Sequence, residues 1–118
     1  MMGPGFEAVF CIVNSGFAEA AMDAARKAGA GGGTILKGRG TASREAEERF
    51  NIVIQPEKEL LMLLVSSEIK DQVLRALYDG AGLDSAGQGI AFSLPVEKTV
   101  GLRTPEQKAE EADKPQEE

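Results

Sequence analysis

What most constrains the fold of this chain is a unit that occurs twice. Residues 6–37 run from an apolar stretch, "FEAVFCIV", through a segment of helical period to a short apolar run, "TILK". Residues 60–96 repeat the order with "LLMLLV", a second helical-period segment and "GIAFSLPV". Apolar, branched and aromatic residues on successive positions signal strands, whereas apolar residues three and four apart signal a helix facing a core. Two strand–helix–strand units joined by a loop build an antiparallel central sheet with both helices on one face. The expected fold class is therefore α+β, a ferredoxin-like βαββαβ split sandwich.

Punctuation within the units sharpens the boundaries. After the first strand, Asn14 or Ser15 in "NSG" can cap a helix whose apolar positions are Phe17, Ala20, Ala21, Ala24, Ala25 and Ala28, and Gly29 ends it. A face made almost wholly of alanine lets that helix lie close against a sheet. The glycines at 29, 31, 32 and 33 then form a loose connection into "TILK" at 34–37, followed by Gly38 and Gly40. Residues 41–50, "TASREAEERF", have no apolar period and read as an exposed loop with a fragment of helix. The stretch 50–67 is either one long strand bent at Pro56 or two strands joined through "QPEK". Its apolar residues on successive positions imply burial on both sides, with a second copy covering the face the helices leave bare. Ser66 or Ser67 caps the second helix, on which Ile69, Val73, Leu74 and Leu77 face the core until Asp79-Gly80. Pro95 confines the last strand to a sheet edge.

At 118 residues and 12.5 kDa there is room for one core of ordinary size. The chain divides into a folded domain at 1–102 and a tail at 103–118, "RTPEQKAEEADKPQEE", whose three basic and six acidic residues suit a solvated, disordered segment. A net charge of -6 and the lack of any basic run oppose a nucleic-acid partner. The longest apolar run, "LLMLLV", is too short to span a bilayer, and "MMGPGFEAVF" has neither the basic segment nor the cleavage site of a signal peptide, so the expected location is cytoplasmic. With no histidine and one cysteine, Cys11 in an apolar run, the chain lacks the usual Cys/His zinc or copper set and the commonest general base near neutral pH. The expectation is a protein that is not an enzyme. The loop after the first strand holds no arginine, which opposes an acylphosphatase, and 5% aromatic content opposes an RNA-stacking sheet.

Two glycine pairs carry the remaining chemistry. "GRG" at 38–40 and "GQG" at 87–89 stand at strand boundaries, where each is either a turn or a cradle of backbone N–H groups for an anion. Arg39, flanked by glycines, suits a phosphate or carboxylate as well as it suits a surface ion pair, and Arg103 raises the same question. Glu45, Glu47 and Glu48 lie among Arg44 and Arg49, as a solvated face would.

Taken together, the element order and the segments "GGTILKGRG", "VSSEIKDQVLRAL" and "GQGIAFSLPVEKTVGLRT" resemble the PII signal-transduction family over residues 6 to 104. The resemblance implies a homotrimer that binds an adenine nucleotide (ATP, ADP or AMP) as effector in clefts between subunits and needs no cofactor. It also implies a loop, here 41–50, that docks on a regulated partner such as a membrane transporter. Carried over by position, the nucleotide site comprises Thr34 at the adenine, Gly38, Arg39 and Gly40 at the base of the loop, and Leu64 beside it. Gly87, Gln88 and Gly89 cradle the phosphates, and Arg103 reaches in from a neighbouring subunit. The chain departs from the family where Ile90 replaces a lysine and Gly101 an arginine, and its only tyrosine, Tyr78, lies outside the loop. The alternative on a similar fold is a CutA-like trimeric protein of the metal-tolerance type.

Overall fold

A computed structural model describes residues 5–41, 45, 48–49, 56–84 and 89–101. They form four strands and two long helices in the order β1 (Phe6–Asn14), α1 (Ala18–Lys27), β2 (Gly33–Arg39), β3 (Glu57–Ser66), α2 (Lys70–Gly80) and β4 (Gly89–Val96). The sheet runs β2-β3-β1-β4, and all neighbouring strands are antiparallel. Each helix crosses over between two parallel strands with one strand in between, which is the split arrangement the repeated unit calls for. Pro95 sits on β4, an edge strand, where its missing N–H is tolerated.

Alternation along β1 divides the sheet into two faces. Val9, Cys11 and Val13 are fully buried under the helices beside Leu61, Leu63 and Val65 of β3. Ala18, Ala21, Met22 and Ala25 of α1 and Val73 and Leu77 of α2 close this core. Burying a side chain such as Leu61 or Leu77 contributes about 1.5–3 kcal/mol. Even-numbered residues point to the opposite face, where Phe10 pairs in register with Met62 and Phe92, and Ile12 with Leu60 and Ile90. Among the described residues nothing covers that face, so β3 is buried on one side and half-buried on the other, not buried on both.

Several boundaries differ from those expected. Neither Asn14 nor Ser15 caps α1, and Phe17 at the cap position makes no side-chain cap bond. Instead Glu59 reaches over from β3, and its Oε1 accepts the N–H groups of Gly16 at 2.5 Å and Ala18 at 3.3 Å. The buried face of α1 is Ala18, Ala21, Met22 and Ala25, one position round from the expected stripe, which leaves Phe17 47% exposed. The C-terminal end is as expected. Gly29, at φ +109, lets Gly29 N–H reach the Arg26 carbonyl and Ala30 N–H reach that of Ala25, the paired bonds of a Schellman turn.

β2 is longer than "TILK", because Gly38 and Arg39 stay in register with Lys58 and Glu57 until β3 itself ends. The Ser66 hydroxyl accepts the Glu68 N–H in a local turn and does not cap α2, which starts after Ile69 with no side-chain cap. Glu45, Glu48 and Arg49 have helical backbone and exposed side chains, consistent with a helical fragment in that loop. Pro56 is a bend directly before β3, and Glu57 and Lys58 of "QPEK" lie inside that strand, not in a turn. Residues 50–55, which hold the first of the two expected extended runs, and the tail at 103–118 lie outside the described residues.

Candidate functional site

The start of β2 borders a groove of about 450 Å³ on the open face. Phe10, Met62 and Leu64 line it, Gly32 and Gly33 form its wall, and the Thr34 hydroxyl is its polar side-chain group. The wall is close because Gly33 lies against β3. A Cβ there would stand 2.5 Å from Leu63 Cδ2 and 2.7 Å from the Met62 carbonyl oxygen. Such a mostly apolar recess with one hydroxyl suits a flat ring better than a charged group.

A different chemistry occupies the other end of β2. Gly40 N–H donates to the Pro56 carbonyl at 2.6 Å, closing the root of the 41–55 connection. Lys58 pairs with Gly38 on one side and with Asn14 on the other, so its side chain stands on the open face between β1 and β2. Its Nζ donates to Asn14 Oδ1 at 2.5 Å, and its stem lies beside Gly40, where a Cβ would approach Cγ and Cε to 3.1 Å. Lys37 and Arg39 belong to the other face, in register with Glu59 and Glu57. Ion pairs among the described residues include Arg26–Asp23, Lys70–Glu7, Lys70–Asp71 and Arg75–Asp79, and none of these involves Lys58.

The residues expected from the sequence therefore fall into separate groups. Thr34 and Leu64 meet at the groove. Gly38, Arg39 and Gly40 lie at the far end of the same strand, with Thr34 and Gly40 about 20 Å apart at the usual rise per residue. Gly89 opens β4 on the opposite edge, three strand spacings or about 14 Å from β2. It is level with Lys37 through the register Gly89–Val13–Glu59–Lys37. Its φ of +155 and the Ile12 carbonyl beside it leave no room for a Cβ. Gly87, Gln88 and Arg103 lie outside the described residues. One chain alone does not bring Gly89 to the Gly38–Gly40 segment.

The two departures have structural counterparts. Ile90 joins the apolar row of Ile12, Leu60 and Leu36 on the open face and is 56% exposed, so it extends that surface to the edge. Gly101 is exposed with φ +88. Lys58, Asn14 and Glu59 were missed by sequence reasoning, although counting back by two from Leu64, Met62 and Leu60 places Lys58 on the open face. Tyr78 is exposed on α2 under the Arg75 guanidinium, 5.9 Å from its ring centre. Among the described residues no group of three or more His, Cys, Asp or Glu could hold a metal ion. No described helix is long and apolar enough to cross a membrane.

This sheet order, with both helices on one face, defines the ferredoxin-like class of α+β subunits. The profile of the nitrogen regulatory protein P-II family matches residues 6–106, and the chain belongs to that family of signalling proteins. Among solved structures it is similar to the Arabidopsis thaliana PII protein bound to citrate, at 24% identity over 85% of this chain and 82% of that one, with a TM-score of 0.65. It is also similar to a PII-like signalling protein of Thermus thermophilus, at 24% identity over 80% of this chain and 91% of that one, with a TM-score of 0.58. A Bacillus cereus protein related to NIF3 shares the fold at 15% identity and a TM-score of 0.63, over 83% of this chain but 27% of that one. At these identities the likenesses speak for the fold. No curated protein matches the sequence.

Proposed function

We propose that the protein is a homotrimeric sensor that binds an adenine nucleotide between subunits and regulates a partner protein through the 41–50 loop. The observation that carries this reading is that the two halves of the site stand on opposite edges of one sheet. A neighbouring copy can bring its β4 edge, with Gly89, to the β2 edge that holds Thr34, Gly38 and Gly40. The open face supports such an assembly. Leu36, Ile90, Phe92 and Leu94 are 47%, 56%, 39% and 52% exposed on this one face, and exposed apolar side chains gathered on one face are what a subunit contact covers.

Within this site the groove takes the base, with Thr34 as its polar contact and Leu64 beneath it. The glycine end takes the phosphates through backbone N–H groups and Lys58. Ile90 and Gly101 supply no cation, and a charge-assisted hydrogen bond to phosphate is worth about 1.5–3 kcal/mol, so the phosphates are held less by charge than by the backbone. A ligand here touches the root of the 41–55 connection at Gly40, and its arrival there is what the loop transmits to the partner.

The test is calorimetry with ATP, ADP, AMP, cyclic nucleotides and bicarbonate, alongside mass in solution. The expected result is a species of three subunits that binds at least one adenine nucleotide. A monomer that binds none of the panel overturns the reading. Arg103→Ala with unchanged nucleotide affinity would remove that residue from the site.

A further inference from the structure

The Lys58–Asn14 pair is unusual in its chemistry. Asn14 is 6% exposed and therefore a buried polar residue at the end of a strand, where an apolar side chain would be expected on packing grounds alone. Its carboxamide oxygen holds a lysine ammonium, yet it carries no charge to cancel. The acids that flank Lys58 in sequence, Glu57 and Glu59, point to the other face, and Glu59 is engaged with the start of α1. Among the described residues no acid pairs with the ammonium, which is held by the neutral amide beside a glycine whose missing side chain leaves space against the lysine stem.

We propose that Asn14 is a positioning residue of the anion subsite: it holds Lys58 at the Gly38–Gly40 end of β2 without neutralising it, so that an incoming phosphate or carboxylate meets a preoriented cation. This rests on the reading of the site given above and adds the group that sets its selectivity for anions. A lysine loses much side-chain freedom when it clamps a ligand, and a neutral tether removes that cost in advance. An aspartate at 14 would keep the tether and remove the net charge, since an opposite charge at hydrogen-bond distance cancels most of the field felt by a third group. The chemistry therefore selects a neutral amide at this position.

The experiment titrates inorganic pyrophosphate and ATP into the full-length protein and its Asn14→Asp variant, at two ionic strengths, with thermal melting as a fold control. The expected result is at least tenfold weaker binding of both ligands by the variant, with a flatter salt dependence and a melting temperature at or above that of the parent. A residue with a purely structural role would shift melting and leave the salt dependence unchanged. If Asn14→Asp binds both ligands within twofold of the parent, the proposal is overturned while the nucleotide reading stands. If the parent binds pyrophosphate, and the variant does so tenfold more weakly, but neither binds an adenine nucleotide, the proposal stands and the nucleotide reading falls. If the parent binds neither, both fall. Should Asn14→Asp fail to fold, Lys58→Gln gives the same comparison, and unchanged affinity in that variant overturns the proposal.

Discussion

Glu59 caps a helix that begins 41 residues before it, by accepting the Ala18 N–H at 3.3 Å and the Gly16 N–H at 2.5 Å. The first N–H groups of a helix have no partner within it, and a carboxylate there also opposes the positive end of the helix dipole. The bond ties α1 to β3, and the adjacent bond from Ser15 N–H to the Glu57 carbonyl, at 3.1 Å, ties the same turn to the root of the loop. Glu59→Ala should therefore cost about 0.5–2 kcal/mol, a fall in melting temperature of roughly 4–8 °C per kcal/mol. Melting of the variant within a degree of the parent would show that the contact contributes nothing.

The open face leads to a prediction about assembly. Phe10 and Phe92 stack with ring centres 5.3 Å apart and planes 21° apart, at the middle of the apolar surface. A charge placed there has no partner and must be desolvated if another copy covers it. Phe92→Asp is expected to convert a trimer to monomers, read as a threefold drop in mass by light scattering. An unchanged mass would show that this face lies outside any subunit contact.

The fold was legible where side chains differ sharply from their neighbours. β4 is bounded as expected because Gly89 and Pro95 punctuate it, and α2 is placed by Val73 and Leu77 standing out among charged residues. The α1 stripe was misplaced by one position because alanines at 18, 20, 21, 24, 25 and 28 give almost no contrast, and Met22 was the residue that marked the true face. In the site, the glycines and Thr34 were visible as residue types. Lys58 was hidden in "PEKE", where its charge suggests solvent and only the strand period reveals its face. Side-chain caps failed for a physical reason too, since a partner distant in sequence supplied by the sheet replaced the local Asn14 or Ser15.

Cys11 gives a prediction in pH. Burial pushes its thiol up from 9.0 to about 11, because the thiolate loses its hydration beneath the helices. In the unfolded chain the thiol ionises near 9, so above that pH the unfolded state binds fewer protons than the folded one. Stability from this group is therefore complete below about pH 9 and is lost as pH rises through about 11, at a slope of at most about 1.4 kcal/mol per pH unit. Denaturant unfolding of the parent and of Cys11→Ala across this range should show the slope in the parent and its absence in the variant. Equal slopes would assign the alkaline loss to other groups.

Gly33 and Gly32 provide a matched pair for the groove. A methyl on Gly33 meets the Leu63 side chain, which can move, and the Met62 carbonyl at 2.7 Å, which is held in the β2–β3 ladder and cannot. A methyl on Gly32 meets nothing within 4 Å. Overpacking of this kind costs about 1–3 kcal/mol, and the relief open to the chain is to lift the start of β2 away from β3, which shifts Thr34 relative to Met62. Gly33→Ala is expected to lower the denaturation midpoint and to weaken adenosine binding, whereas Gly32→Ala should leave stability within about 0.5 kcal/mol of the parent. Adenosine carries no phosphate, so its affinity reports the groove apart from the glycine and Lys58 end. Loss of stability in Gly33→Ala with adenosine affinity unchanged would place the base elsewhere than in this groove.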